Sequence, residues 1–271
     1  MVDWFLELGP VWQAVLAGAF TWITTIIAAS LVFFTRSISR RWLDIMLGFA
    51  AGVMVAVAVF SLLVPAVELS GDSRYPAWLV VAGGVLTGAG FLRLIDAVLP
   101  HLAPGRPPEE AEGPSTTWRR ATLLVSAITI HNIPEGLAIG IAFGAAAAYG
   151  GNDGAIAAAV VLTIGISLQN MPEALAVAMP LRRDGFSRLK SFWYGQLPAS
   201  VEPPAAFIGA AAVLIIEPAL PFAMAFAAGA MLFVVIEELI PESQRAGDTD
   251  RVTLATIIGF VAMMSLDIAI G

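Results

Sequence analysis

The chain has 271 residues, 58% of them hydrophobic and only 13% charged, with a formal net charge of −7 and a mean hydropathy of +0.84. An ordinary soluble domain carries about 25% charged residues, so this composition argues against a water-facing enzyme surface, a disordered chain or a nucleic-acid binder. With no cysteine there is neither a disulfide framework nor a thiolate metal site.

The N-terminal stretch MVDWFLELGP lacks a basic region, so it does not read as a cleaved signal peptide; a short amphipathic stretch on the membrane surface is expected. Crossing roughly 30 Å of hydrocarbon takes about 20 mostly apolar residues. Eight runs meet that length, at about 11–34, 43–66, 76–99, 120–147, 155–180, 191–214, 219–240 and 252–270. The pattern predicts an all-α integral membrane protein with eight transmembrane helices, a single domain spanning 1–271. The loops are short except for the Pro-, Gly- and Glu-rich segment 101–118, which reads as a flexible linker.

Lys and Arg set the expected orientation. Loops 1–2, 3–4, 5–6 and 7–8 hold twelve of the 14 basic residues: Arg36, Arg40, Arg41, Arg106, Arg119, Arg120, Arg182, Arg183, Arg188, Lys190, Arg245 and Arg251. The opposite side holds Arg74, and Arg93 falls inside the third span. Even-numbered spans with both termini outside satisfy this bias.

Ionisable groups at membrane depth cost about 2.5–3.5 kcal/mol each even on lenient scales, and they commonly mark a pathway. The fourth span carries His131, Asn132 and Glu135; the fifth carries Gln169, Asn170 and Glu173; the sixth carries Glu202. All lie roughly 16–27 Å along their helices at 1.5 Å per residue, which places them near mid-bilayer. His131 and Glu135 are spaced i, i+4, as are Gln169 and Glu173, so each pair shares a helical face. HNIPEGLAI (131–139) and QNMPEALAV (169–177) also match one another on antiparallel helices, a transporter-like internal repeat. Pro134 and Pro172 free the carbonyls of Ile130 and Leu168 and should kink their helices; Pro203 and Pro204, after Glu202, should act similarly. An isolated intramembrane Asn or Gln is often interhelical glue and an isolated Glu often a protonated structural group. Three carboxylates gathered with an imidazole and three amides instead need protons or a cation to offset their repulsion. The donor set suits a divalent transition metal better than Cu(I), and His131 argues against a pure Mg or Ca site.

These residues resemble the ZIP (Zrt/Irt-like) divalent metal transporter family, closest to its prokaryotic GufA-like branch. HNIPEG and QN-x-PE carry the likeness, supported by GQLPASVEP in the sixth span and EELIPE near the end of the seventh. The resemblance implies an inverted repeat of spans 1–3 and 6–8 around kinked helices 4 and 5, and a binuclear centre. It places His131, Gln169, Glu135 and Glu173 at a first metal site with Met54 as a thioether ligand. Asn132, Asn170 and Glu202, bridged by Glu135 and Glu173, fall at a second. Asn170 stands where some relatives carry Asp, and Gln169 where many carry His. Zinc is the expected ion, with cadmium, iron or manganese as further substrates, and no catalytic cofactor is implied.

The topology puts Glu68 and Asp267 at the outer ends of their spans, as an entrance. Asp96, Glu237, Glu238 and Glu242 lie toward the inner ends as an exit relay, although Arg93 could simply pair with Asp96 at i, i+3. The Gly- and Ala-rich stretches 82–90 and 226–231 are expected to allow close, low-barrier helix sliding. The expected function is uptake of a divalent metal into the cytoplasm by alternating access, across a bacterial inner membrane judged from the resemblance. The expected partners are metal ions and the lipid bilayer, with a homodimer left open and no nucleic acid. A single intramembrane histidine argues against a zinc metalloprotease, which needs a histidine pair. A cation channel and a proton-coupled carrier of another substrate are the competing readings.

Overall fold

The computed structural model describes residues 3–35, 38–72, 75–102, 113–114, 120–148 and 153–270. Eight apolar helical spans run through it: α1 (Pro10–Phe33), α2 (Arg40–Leu69), α3 (Ala77–Val98), α4 (Ala121–Ala148), α5 (Asp153–Arg183), α6 (Arg188–Ile215), α7 (Glu217–Ser243) and α8 (Thr249–Ile270). Each predicted span reappears within a few residues. Those carrying Arg40, Arg41, Arg182, Arg183 and Arg188 run longer than hydropathy suggests, because the helical backbone continues into a zone where Arg extends its charge to water. At the C-terminus of α5, Gly185 takes a φ of +92° while the Phe186 amide donates to the Leu181 carbonyl, a left-handed cap that stops the helix.

The helices sort into two bundles. In one, α4 packs along α6, and α1 packs on α4, α5 and α6. In the other, α3 packs along α7 and α2 along α8. α5 on α2 and α4 on α7 form the main seam between them. α5 also packs on α6, and exchanging α1–α3 for α6–α8 and α4 for α5 then maps this set of pairings onto itself, the pattern an inverted repeat must give.

The two halves share a further irregularity. A π-helical stretch, Val57–Leu63, interrupts α2, and another, Val235–Leu239, interrupts α7. The following amides, Val64 and Ile240, donate five residues back to Val59 and Val235. In each case a proline lies two residues beyond, Pro65 or Pro241, where the missing N–H would break an ordinary ladder. α6 is broken differently. A 3₁₀ turn at Pro198–Val201 separates Arg188–Gln196 from the helix Glu202–Ile215. Pro203 and Pro204 therefore sit in the first turn of a new helix, where proline is tolerated, and the irregularity precedes Glu202 rather than following it. Pro134 and Pro172 lie inside helices that continue on both sides of them.

Glycines let particular helix pairs approach to backbone contact. A Cβ on Gly52 would lie 1.9 Å from the Thr256 carbonyl, on Gly88 2.0 Å from that of Phe226, on Gly229 2.2 Å from that of Val85, and on Gly140 2.2 Å from that of Ala206. These contacts join α2 to α8, α3 to α7 and α4 to α6, always within one bundle. The small-residue stretches 82–90 and 226–231 thus do approach closely, pairing α3 with α7 inside one bundle rather than lining the seam. At the seam, Gly165 of α5 meets side chains, Val57 Cγ2 and Met263.

Two expectations at the loops change. The N-terminal turn Asp3–Leu6 is tied to the bundle, with Gln13 Nε2 donating to the Phe5 carbonyl at 3.0 Å and the Phe5 ring 6.0 Å from that of Phe143 on α4. The predicted linker does not begin at His101, because His101 and Leu102 are buried and the Leu102 amide donates to the Leu123 carbonyl. Composition hid this, since the buried pair directly precedes the Pro- and Glu-rich run. Apart from Gly113 and Pro114, the rest of that linker lies outside the described residues, as do Arg36, Arg74, Arg106, Arg119 and the side chain of Arg120.

Candidate metal centre

His131, Asn132 and Glu135 of α4, Gln169, Asn170 and Glu173 of α5, and Glu202 of α6 are all buried, none more than 3% exposed. Packing of α4 on both α5 and α6 brings the predicted residues together, closed to water on both sides in this conformation. The i, i+4 spacing within each repeat aims its polar groups at the same helix–helix space.

Hydrogen bonds divide the cluster into two halves. On one side, Gln169 Nε2 donates to Glu135 Oε1 at 2.6 Å. On the other, the amides of Asn132 and Asn170 both donate to Glu202 Oε1, at 2.5 and 2.7 Å. The Thr21 hydroxyl of α1, 2.7 Å from the Gly18 carbonyl oxygen, hydrogen-bonds Glu202 Oε2. Against these stands a set of buried acceptors with no hydrogen-bond partner: Glu135 Oε2, both oxygens of Glu173, Gln169 Oε1, Asn132 Oδ1, Asn170 Oδ1 and His131 Nδ1. A buried polar atom without a partner costs about 1–3 kcal/mol, and more when charged. Acceptors gathered from two facing helices without matching donors are what a cation requires.

Glu238 of α7 reaches into this centre from the other bundle. Its Oε1 lies 2.6 Å from His131 Nε2. With its proton on Nε2, facing this carboxylate, a neutral ring would keep its Nδ1 lone pair for a cation, the arrangement commonly found around metal-bound imidazoles. Glu238, Asp96 and His101 also bring one ligand atom each within 4.8 Å of one another, and Asp96 Oδ1 lies 3.8 Å from His101 Nε2. The buried Asp96 thus turns inward while Arg93 is exposed. The expected exit residues Asp96 and Glu238 meet, whereas Glu237 is exposed. Glu242 sits apart, in a cluster where Arg40 lies 2.6 Å from Asp44 and 2.6 Å from Glu242, and Arg245 3.2 Å from Glu242.

At the opposite ends of the spans, Ser61 Oγ donates to Asp267 Oδ1 at 2.6 Å, joining α2 to α8. Ser61 and Glu68 line a cavity of about 220 Å³ walled by alanines of α4 and α5 and by Met224 of α7. Met54 is fully buried in the main apolar core. Sequence reasoning missed two polar participants and one pairing. His101 looked like linker, and Thr21 sits in a Thr-rich span where nothing distinguishes it from Thr24 and Thr25. The pairing of Glu238 with His131 joins residues 107 apart, which no local spacing reveals.

The ZIP Zinc transporter family profile matches residues 109–267. The chain is 40% identical to the human protein named Zinc transporter ZIP11, over 96% of this chain and 98% of that one. It is 36% identical to Zinc transporter GufA of Myxococcus xanthus, over 89% and 92% of the two chains. It is also 36% identical to Zinc transporter ZIPB of Bordetella bronchiseptica, over 95% and 81%. The GufA match supports the placement in the GufA-like branch. With eight apolar helices and these relatives, the chain is a multi-pass membrane protein and belongs to the ZIP family of metal transporters.

Proposed function

We propose that the chain carries zinc, and with it cadmium, iron or manganese, into the cytoplasm of a bacterial cell by alternating access. The relatives' names supply zinc as the first substrate. The observation that carries the reading is the set of buried, partnerless acceptors on α4 and α5.

In this reading, with both termini outside the inner membrane, Glu68 and Asp267 face the outer side and draw cations toward the alanine-walled cavity. The ion sheds water and is held by Glu135, Glu173, Gln169 and the Nδ1 of His131, with the Asn132 and Asn170 carbonyls as neutral donors. Met54 is a thioether contact carried over from the resemblance. The bundle of α1, α4, α5 and α6 then shifts against that of α2, α3, α7 and α8, and the ion leaves along Glu238, Asp96 and His101. Burial of every central ligand from both sides favours a carrier over an open channel.

The test is uptake of Zn²⁺ or Cd²⁺ by the full chain reconstituted in vesicles. Glu135→Ala and Glu173→Ala should each lower uptake at least about 100-fold, the upper end of what losing even an indirect metal partner costs. Wild-type uptake in either variant sinks the assignment.

A further inference from the structure

We infer that Glu202 is a positioning residue and not an ion ligand. Anchored by Thr21, it turns the amides of Asn132 and Asn170 so that their carbonyl oxygens serve the ion, and the centre holds a single divalent cation. This rests on the ion site proposed above and goes beyond it by assigning Glu202 and Thr21 and by fixing the stoichiometry.

Three spans converge on Glu202, which is completely buried. Its Oε1 accepts from Asn132 of α4 and Asn170 of α5, and its Oε2 from Thr21 of α1. Three donors compensate a carboxylate without a metal. Glu135 and Glu173 differ: one has a donor on one oxygen only, and the other has neither oxygen hydrogen-bonded. Those two carry the charge that a single divalent ion neutralises.

An amide bears its N–H₂ and its oxygen on opposite arms. With both N–H₂ groups committed to Glu202, each Oδ1 is turned away from it, and both are buried without a donor. Asn132 and Asn170 occupy matching places in the two repeats, so one carboxylate orients a symmetric pair of neutral ligands. A second divalent ion beside Glu202 would have to displace its donors and would find asparagine, not a carboxylate, on both facing helices.

The experiment uses the purified full chain, with bound Zn²⁺ and Cd²⁺ counted by elemental analysis and uptake kinetics measured in vesicles. Wild type should bind one ion per chain. Glu202→Ala should raise the KM for uptake about 10–100-fold, as expected for a lost metal-orienting partner, whereas Glu202→Gln should shift it less than about tenfold. The glutamine keeps an oxygen for both asparagines and an amine that can donate to the Thr21 oxygen. Thr21→Val should raise KM and Thr21→Ser restore it, a pair that carries the test if Glu202→Ala fails to fold. The proposal is overturned if Gln proves as damaging as Ala, if Thr21→Val behaves as wild type, or if wild type binds a second ion that Glu202→Gln loses. Inactive Glu135→Ala and Glu173→Ala beside such results would leave the ion site standing and remove only the role given to Glu202. Active ones would remove the site itself.

Discussion

The two bundles solve the same membrane problem with different chemistry. The α1, α4, α5 and α6 bundle carries the central polar residues, the intrahelical prolines Pro134 and Pro172, and the broken α6. Backbones touch at glycines in both, but in the α2, α3, α7 and α8 bundle the Arg40–Asp44–Glu242–Arg245 cluster also ties the end of α7 to the start of α2. The first surrounds the polar cluster, and in the proposed cycle the second is the rigid unit against which it moves. The seam reflects this division, because side chains meet there and the His131–Glu238 hydrogen bond crosses it.

The largest test of the comparison is steric. Gly52→Val places a branched side chain onto the Thr256 carbonyl, and neither helix can yield without losing its partner. Overpacking of this kind costs about 3 kcal/mol or more, so the variant should lose most of its folded yield. Gly90, on α3 with nothing within 4 Å of a Cβ, is the control. Gly90→Ala should change thermal stability by less than about 1 kcal/mol, in the stabilising direction of helix propensity. Equal effects at the two positions would break the claim that glycine contacts define the rigid unit.

Glu238→Gln probes the seam. It removes the carboxylate that fixes His131 while leaving every central ligand in place, so metal affinity measured by titration should fall about tenfold, with expression unchanged. Unaltered affinity would mean that His131 is oriented by something else.

A test expected to leave transport untouched lies at the ion cluster. Arg40 touches Asp44, Glu242 and the Glu242 carbonyl at once, and Arg40→Ala leaves two buried carboxylates undercompensated. A loss of roughly 2 kcal/mol in unfolding stability is expected, with the KM for uptake unmoved. A change in KM without a change in stability would show that this corner takes part in transport.

Much of this architecture was legible in the residue order. Hydropathy located all eight spans, and the repeated N-x-P-E pattern located the central polar residues, because a buried carboxylate stands out against an apolar run. What escaped were relations between distant segments. Thr21 has no unusual neighbours, and its role exists only because α1 packs against α6. Buried His101 adjoins a run that composition marks as linker. The stretches 82–90 and 226–231 announced close approach, but only the structure shows that they meet each other, pairing α3 with α7. Nor did hydropathy reveal the π-helical turns, which insert a residue without altering the apolar character of α2 or α7.

Those matched turns have a bearing on descent. A residue inserted at equivalent points of two oppositely oriented halves, each with a proline two places on, is most economically explained as one event copied. The residues around the turns differ, SLLVPAVE in one half and EELIPESQ in the other, so what the halves share here is the backbone irregularity and its proline and not the side chains that line it.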